Sequence, residues 1–103
     1  MEVVPSKKFK KWLLKLRDAE ARNLISFRIQ TIARLGTLVG DWKSIEGKIF
    51  ELRFHRGQGY RVYGAIENDT FLILAAGGTK ATQTRDITLA KKLVREWEDE
   101  QNV

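Results

Sequence analysis

Residues 48–67 read KIFELRFHRGQGYRVYGAIE, and this stretch decides the fold. Phe50, Leu52 and Phe54 alternate with charged or polar residues, which is the period-two pattern of a half-buried strand. The next residues, RGQG, include two glycines, which tolerate the positive φ of a turn. A second strand pattern follows at Tyr60–Glu67. The stretch therefore predicts two antiparallel strands joined by a turn.

The register of this strand pair predicts which side chains share a face. The apolar sets of both strands must lie on the same side, because a slip of one residue would bury charges. The opposite face then carries Glu51, Arg53, His55, Arg61, Tyr63 and Ala65. Guanidinium groups clamp phosphates and tyrosine stacks on bases, so this face suits RNA. The ordinary wet face of an antiparallel sheet stays open as the alternative.

Helical periodicity dominates the chain before Gly36. Ser6 fits the N-cap of a first helix that runs to about Leu16, with its apolar residues on one face. A second helix is predicted from about Ala19 to Leu35, and Gly36 is a suitable residue to end it. We expect the two helices to form a hairpin with inward apolar faces.

The remaining patterns place the chain in the α+β class. Further strands are predicted at Met1–Val4, Trp42–Ile45 and Thr70–Ala76. Gly77-Gly78 is predicted to end the last of these, and a final helix runs from Thr82 or Thr84 to about Glu100. We expect a single domain over residues 1–103, with a small antiparallel sheet packed against an N-terminal helical hairpin and a C-terminal helix.

The charge balance favours a polyanionic partner. The chain has 19 Lys and Arg against 13 Asp and Glu, for a formal net charge of +6. Four of the acids lie within residues 96–100, so the rest of the chain is more basic still. Neutralising phosphates with such a surface releases counterions, although a surface that is merely soluble and basic stays open as the alternative.

Composition excludes several classes of site. The chain has no cysteine and one histidine, which excludes disulfides and thiolate metal sites and leaves no clustered metal ligands. His55 alone remains as a proton donor or acceptor, or as an exposed residue at a strand end. No apolar run approaches the roughly 20 residues of a membrane span, and the first residues lack a signal-peptide pattern. We expect a cytoplasmic protein without a cofactor.

Ordered short motifs give the chain a family resemblance. They are ELR at 51–53, GQGYRVY at 57–63, LAAGGTK at 74–80, then Gln83, Asp86-Ile87 and Ala90, preceded by Phe9-x-x-Trp12-Leu13-x-x-Leu16-x-Asp18. In this order they resemble the RelE/ParE superfamily, and within it the HigB-like addiction module killer branch. Two positions depart from that branch, which commonly has an acidic residue at Thr79 and an aromatic residue at Gly64.

The resemblance implies the toxin of a type II toxin–antitoxin system, a ribosome-dependent mRNA endonuclease. Its partners would be a helix-turn-helix antitoxin and the ribosome with mRNA. Cleavage would need no metal, because the ribose 2′-OH attacks the adjacent phosphate and basic residues stabilise the developing charge. The resemblance assigns this catalytic role to Arg53, Arg61 and Lys80. The candidate substrate-binding residues are Tyr63, His55, Lys43 and Arg85.

Two other functions stay open at this point. A ParE-like inhibitor of DNA gyrase without nuclease activity would have the same fold, so the fold cannot decide between them. A non-enzymatic RNA-binding module would share the basic surface.

Overall fold

A five-stranded sheet with helices on both faces forms the framework of the protein. The structure is a computed structural model, and it describes residues 1–102. In chain order the elements are β1 (Glu2–Pro5), α1 (Lys7–Lys15), α2 (Ala19–Leu35), β2 (Trp42–Glu46), β3 (Ile49–Phe54), β4 (Tyr60–Glu67), β5 (Phe71–Thr79), a 3₁₀ turn (Lys80–Thr82) and α3 (Gln83–Gln101). The predicted α+β class is confirmed. Within residues 1–102, no helix is long and apolar enough to cross a membrane.

The sheet is mixed, whereas the sequence patterns predicted an antiparallel one. Its strand order is β1-β5-β4-β3-β2. β2, β3, β4 and β5 are antiparallel to their neighbours, but β1 lies parallel to β5. The direction of β1 is set by contacts with residues distant in sequence. One of these is the hydrogen bond from Glu2 N to Thr70 O, at 2.8 Å. Local pattern cannot predict the orientation of such a pair.

The helical hairpin of α1 and α2 seals one face of the sheet with large apolar side chains. Ser6 caps α1 by accepting a hydrogen bond from Phe9 N at 3.0 Å, and Gly36 ends α2 at φ 77°. Phe9 and the inward isoleucines of α2 pack onto Leu52 and its neighbours. The buried cluster is Phe9, Ile25, Ile29, Ile32, Phe50, Leu52, Phe54, Val62, Leu72 and Leu74.

Helix α3 covers much of the opposite face, which the register argument had left open to solvent. Small residues let α3 approach the sheet closely, and its own Ala90 and Val94 are buried there. The cluster on this face is Ile49, Tyr63, Ala65, Ile73, Ala75, Ala76, Ala90 and Val94. The prediction of an open Arg/Tyr face is therefore wrong for most of its length. Within residues 1–102, the end of the sheet where α3 begins remains accessible, as does the edge strand β2.

Three glycines adapt the sheet to these close contacts. β5 carries one extra residue opposite Tyr63 and Gly64, and a Cβ at Gly64 would lie 2.0 Å from the backbone oxygen of Ile73. A Cβ at Gly77 would lie 2.2 Å from the Trp12 ring, and one at Gly78 would lie 1.8 Å from the Asp86 carboxylate. The prediction that Gly77-Gly78 ends β5 is therefore wrong. The two glycines let β5 continue to Thr79 between two helices.

Candidate functional site

A buried carboxylate organises the accessible end of the sheet. Glu51 lies on β3, facing α3, and is 0% exposed. It accepts hydrogen bonds from Arg53 Nε and from Gln83 Nε2, each at 2.8 Å. Arg61 Nε lies 3.9 Å from the same carboxylate. Arg53 and Arg61 face each other across β3 and β4, so Glu51 separates two like charges that would otherwise repel.

These contacts keep Glu51 ionised. Burial by itself raises the pKa of Glu51, but the hydrogen bonds from Arg53 and Gln83 outweigh it, and the pKa lies below its ordinary value. The hydrogen bond to Glu51 raises the pKa of Arg53 in turn. The end of the sheet therefore carries a fixed anion between fixed cations.

A shallow cleft of about 420 Å³ opens beside this cluster. Arg61 and Lys80 line it together with the turn between β3 and β4, residues 55–59. Lys80 N donates to Gly59 O at 3.1 Å, which holds the start of the 3₁₀ turn against that loop. Thr79 bonds within this turn, and its N–H donates to Thr82 Oγ1 at 3.1 Å.

The Arg61 side chain is largely buried, but it also lines the cleft. Its residue is 8% exposed, and Nη1 donates to the carbonyls of Gly59 and Tyr60 at 3.3 Å each. Nε is buried and has no hydrogen-bond partner among residues 1–102. The guanidinium is therefore oriented by the chain, and since Arg61 also lines the cleft, it can donate to an anion there.

Tyr63 is not available to stack on a base. It is 0% exposed beneath α3, so the prediction of an accessible Tyr63 is wrong. Burial, followed by the adjacent Glu51 carboxylate, raises the pKa of Tyr63. Its hydroxyl is buried, and no acceptor within the described chain meets it with hydrogen-bond geometry. Tyr63 thus packs behind the cluster and shapes the surroundings of Glu51.

His55 lies at the rim of the cleft and is paired. Its Nε2 contacts Asp41 Oδ2, and the imidazole is 69% exposed. The hydrogen bond from His55 lowers the pKa of Asp41. Arg56, also at the rim, donates from Nε to Asp18 at 2.8 Å and pairs with Glu20 at 2.9 Å, so acids of α2 largely neutralise it.

The other two candidates lie apart from the cleft. Lys43 is exposed on β2, directly opposite Glu51 in the sheet register, so it extends the same face. Arg85 lies on the outer side of α3 with 78% of its side chain exposed, and its Nε lies 3.5 Å from Asp86. The structure thus joins Arg53, Arg61, Lys80 and His55 at one end of the sheet and separates Arg85 from them.

Sequence reasoning did not select three residues that organise the site. Glu51 was placed on the correct face, but a charged residue there was interpreted as solvent-exposed. The signal that could have found it is an acid two residues before Arg53, on the same face and next to the Arg53–Arg61 pair in the strand register. Gln83 and Asp41 gave no usable signal, because they reach the site from a helix end and a loop.

The chemistry available at this end of the sheet is anion binding by oriented cations. Within residues 1–102, no group of three or more His, Asp and Glu side chains is placed to hold a metal ion. Arg61 and Lys80 offer several N–H donors to one cleft, with a histidine at the rim. Such donors match the oxygens of a phosphate.

Comparisons with known proteins identify a relative by sequence and a solved structure with a similar fold. No family model matches the chain. An uncharacterized protein of Haemophilus influenzae is 46% identical over 88 residues, covering 85% of this chain and 87% of that protein. A chain from the crystal structure of the intact E. coli RelBE toxin–antitoxin complex superposes with a TM-score of 0.57 at 13% identity. The superposition covers 76% of this chain and 94% of that one, and it shows the fold alone.

Proposed function

The chain belongs to the family of the Haemophilus influenzae protein and has a RelE-like fold, and we propose that it is the toxin of a type II toxin–antitoxin system. Its activity is that of a ribosome-dependent mRNA endonuclease that inhibits translation in the cytoplasm. The ordered motifs favour the HigB-like branch. The antitoxin partner is a helix-turn-helix protein, in keeping with that branch.

The convergence of Arg61 and Lys80 on one cleft carries this proposal. In-line attack of a ribose 2′-OH on the next phosphate builds negative charge on the phosphoryl oxygens. Cations that are already oriented stabilise that charge without reorganising during the reaction. Arg61 is oriented by two backbone carbonyls, and Lys80 by the 3₁₀ turn that follows β5.

The other candidate residues take different positions around the phosphate. Arg53 lies directly across from Arg61 and is 28% exposed, so it binds the same or the adjoining phosphate. Lys43 extends the cationic face along β2, and Arg85 contacts RNA or ribosome farther along α3. Tyr63, being buried, packs behind Glu51 and does not contact a base.

Cleavage by two variants of the cations that line the cleft tests the proposal. Wild-type protein is expected to arrest growth and to cut mRNA on purified translating ribosomes. Lys80→Gln removes a donor from an exposed side chain and should lower the cleavage rate at least tenfold without changing the thermal unfolding midpoint. Arg61→Ala combined with Lys80→Ala should relieve toxicity. Lys92→Gln is the matched control, because Lys92 is 71% exposed on α3.

Three results would replace this proposal. Equal toxicity of a folded, soluble Arg61→Ala/Lys80→Ala variant would refute the site. Inhibition of gyrase supercoiling with intact ribosome-bound mRNA would establish the gyrase inhibitor. Salt-sensitive RNA binding without toxicity or cleavage would establish a binding module.

A further inference from the structure

His55 and Asp41 form a pair at the rim of the cleft that Arg61 and Lys80 line. The two residues are 14 positions apart and come from different segments, the loop before β2 and the end of β3. Asp41 engages Nε2, so the other ring nitrogen, Nδ1, is the one left for a substrate. A carboxylate on one nitrogen sets the tautomer and orientation of an imidazole.

Asp41 is anchored more firmly than an ordinary exposed ion pair. Arg53 N and Arg28 Nη1 both donate to its backbone oxygen, at 2.9 Å and 3.0 Å. Arg28 also donates to Arg53 O at 2.8 Å, and its guanidinium lies 4.1 Å from the centroid of the Phe54 ring. Gly40, at φ 81°, leaves the space that Arg28 occupies, since a Cβ there would lie 2.9 Å from the guanidinium carbon.

We propose that His55 is the general base of the cleavage reaction and that Asp41 is its positioning residue. This inference rests on the proposed function. Neutral His55 accepts the proton of the ribose 2′-OH at Nδ1 while the O2′–P bond forms and the P–O5′ bond breaks. The leaving 5′-oxygen takes a proton from water, and the imidazolium returns its proton to the resulting hydroxide. The products are a 2′,3′-cyclic phosphate and a 5′-hydroxyl.

The charged groups around the cleft matter for the pH dependence of cleavage. They include Asp41, Arg28, Arg53, Arg61 and Lys80, together with Arg56 and its partners Asp18 and Glu20. Arginine and lysine keep their charge between pH 5 and 8, and His55 holds the pKa of Asp41 below its ordinary value. A general base no longer works once it is protonated, so the assignment predicts a loss of wild-type activity on acidification that His55→Gln does not share.

The decisive experiment measures cleavage of mRNA on purified ribosomes from pH 5 to 8. His55→Gln should lower kcat about 100-fold with little change in KM. It should also remove the acidic limb of the profile, which is the fall in wild-type rate as the pH is lowered. Free imidazole should restore part of the activity of His55→Ala. Asp41→Asn should lower kcat less than His55→Gln does. Asp99→Asn, a substitution on the exposed side of α3, is the matched control.

Three outcomes separate the base assignment from the proposed function. Cleavage by His55→Gln at the wild-type rate, or with the acidic limb retained, overturns the base assignment and leaves the endonuclease intact. Loss of activity in His55→Ala that imidazole does not restore also overturns it. Absence of cleavage by the wild-type protein refutes the proposed function itself. Because His55 is 69% exposed, both variants should keep the wild-type unfolding midpoint.

Discussion

The two faces of the sheet are stabilised by different forces. The face beneath α1 and α2 holds large aliphatic and aromatic side chains that exclude water. The face beneath α3 combines alanines with four buried polar or charged residues, Glu51, Arg61, Glu67 and Asp86. Burying an ion costs free energy unless the ion is paired, so the α3 face is expected to stabilise the fold less than the apolar face does. Glu51, Arg61 and Asp86 lie toward the end of the sheet where α3 begins and the candidate site lies, which links their cost to function, whereas Glu67 pairs with Lys48 at the other end of β4.

The largest effect is expected when the charge cluster loses its anion. Glu51→Ala leaves Arg61 and Arg53 facing each other without a counter-charge and should lower the free energy of unfolding by about 4 kcal/mol. Urea denaturation measures it, with Glu100→Ala on the exposed end of α3 as control. A loss no larger than the control's would show that the two arginines do not depend on Glu51.

A cavity in the opposite face tests the apolar half of the comparison. Leu52 is 0% exposed beneath the hairpin, and Leu52→Ala should lower the free energy of unfolding by about 3 kcal/mol. Leu24→Ala, at a residue 51% exposed on α2, should cost less than about 1 kcal/mol. The folded fraction of Leu52→Ala should retain wild-type cleavage per molecule, unlike Glu51→Ala. Reduced specific activity in both variants would mean that the faces are not independent.

Acid should weaken the α3 face through Glu51. A carboxyl whose pKa is lowered by folding stabilises the folded state above its unfolded pKa, and this contribution disappears as pH falls through the folded pKa. For Glu51 the loss should begin below its ordinary value of 4.5. Glu51→Gln should cost about 2 kcal/mol at pH 7 and progressively less below pH 4.5. Thermal unfolding of both proteins across pH gives the difference, and a pH-independent difference would contradict this assignment.

The smallest effect is expected at Tyr63. Its hydroxyl is buried without a hydrogen-bond partner in the part of the chain described, so Tyr63→Phe removes a desolvated polar group and fills the same space. Stability should change by less than about 1 kcal/mol, and cleavage should stay within about threefold of wild type. A large loss of kcat with unchanged stability would show instead that the hydroxyl takes part in the reaction.

Much of the site could be predicted because strand register is a local property. The alternation around Phe50, Leu52 and Phe54 placed Arg53 and Arg61 on one face, and the structure confirms that placement. The solvent exposure of this face could not be predicted in the same way. Residues opposite the apolar set were expected to face solvent, but Glu51 and Tyr63 are buried. The apolar stripe of the final helix requires a partner surface, but nothing local shows how far along the sheet that helix lies.

The sequence by itself determined the elements, their amphipathic faces and the strand register, since these follow from periodicity, capping and turn residues within a few positions. Only the tertiary structure decided that β1 pairs parallel to β5, that α3 buries Tyr63, and that Glu51 joins Arg53, Arg61 and Gln83. It also decided that Asp41 meets His55. The physical reason is that each of these contacts joins residues from separate segments, whose meeting depends on how the whole core packs.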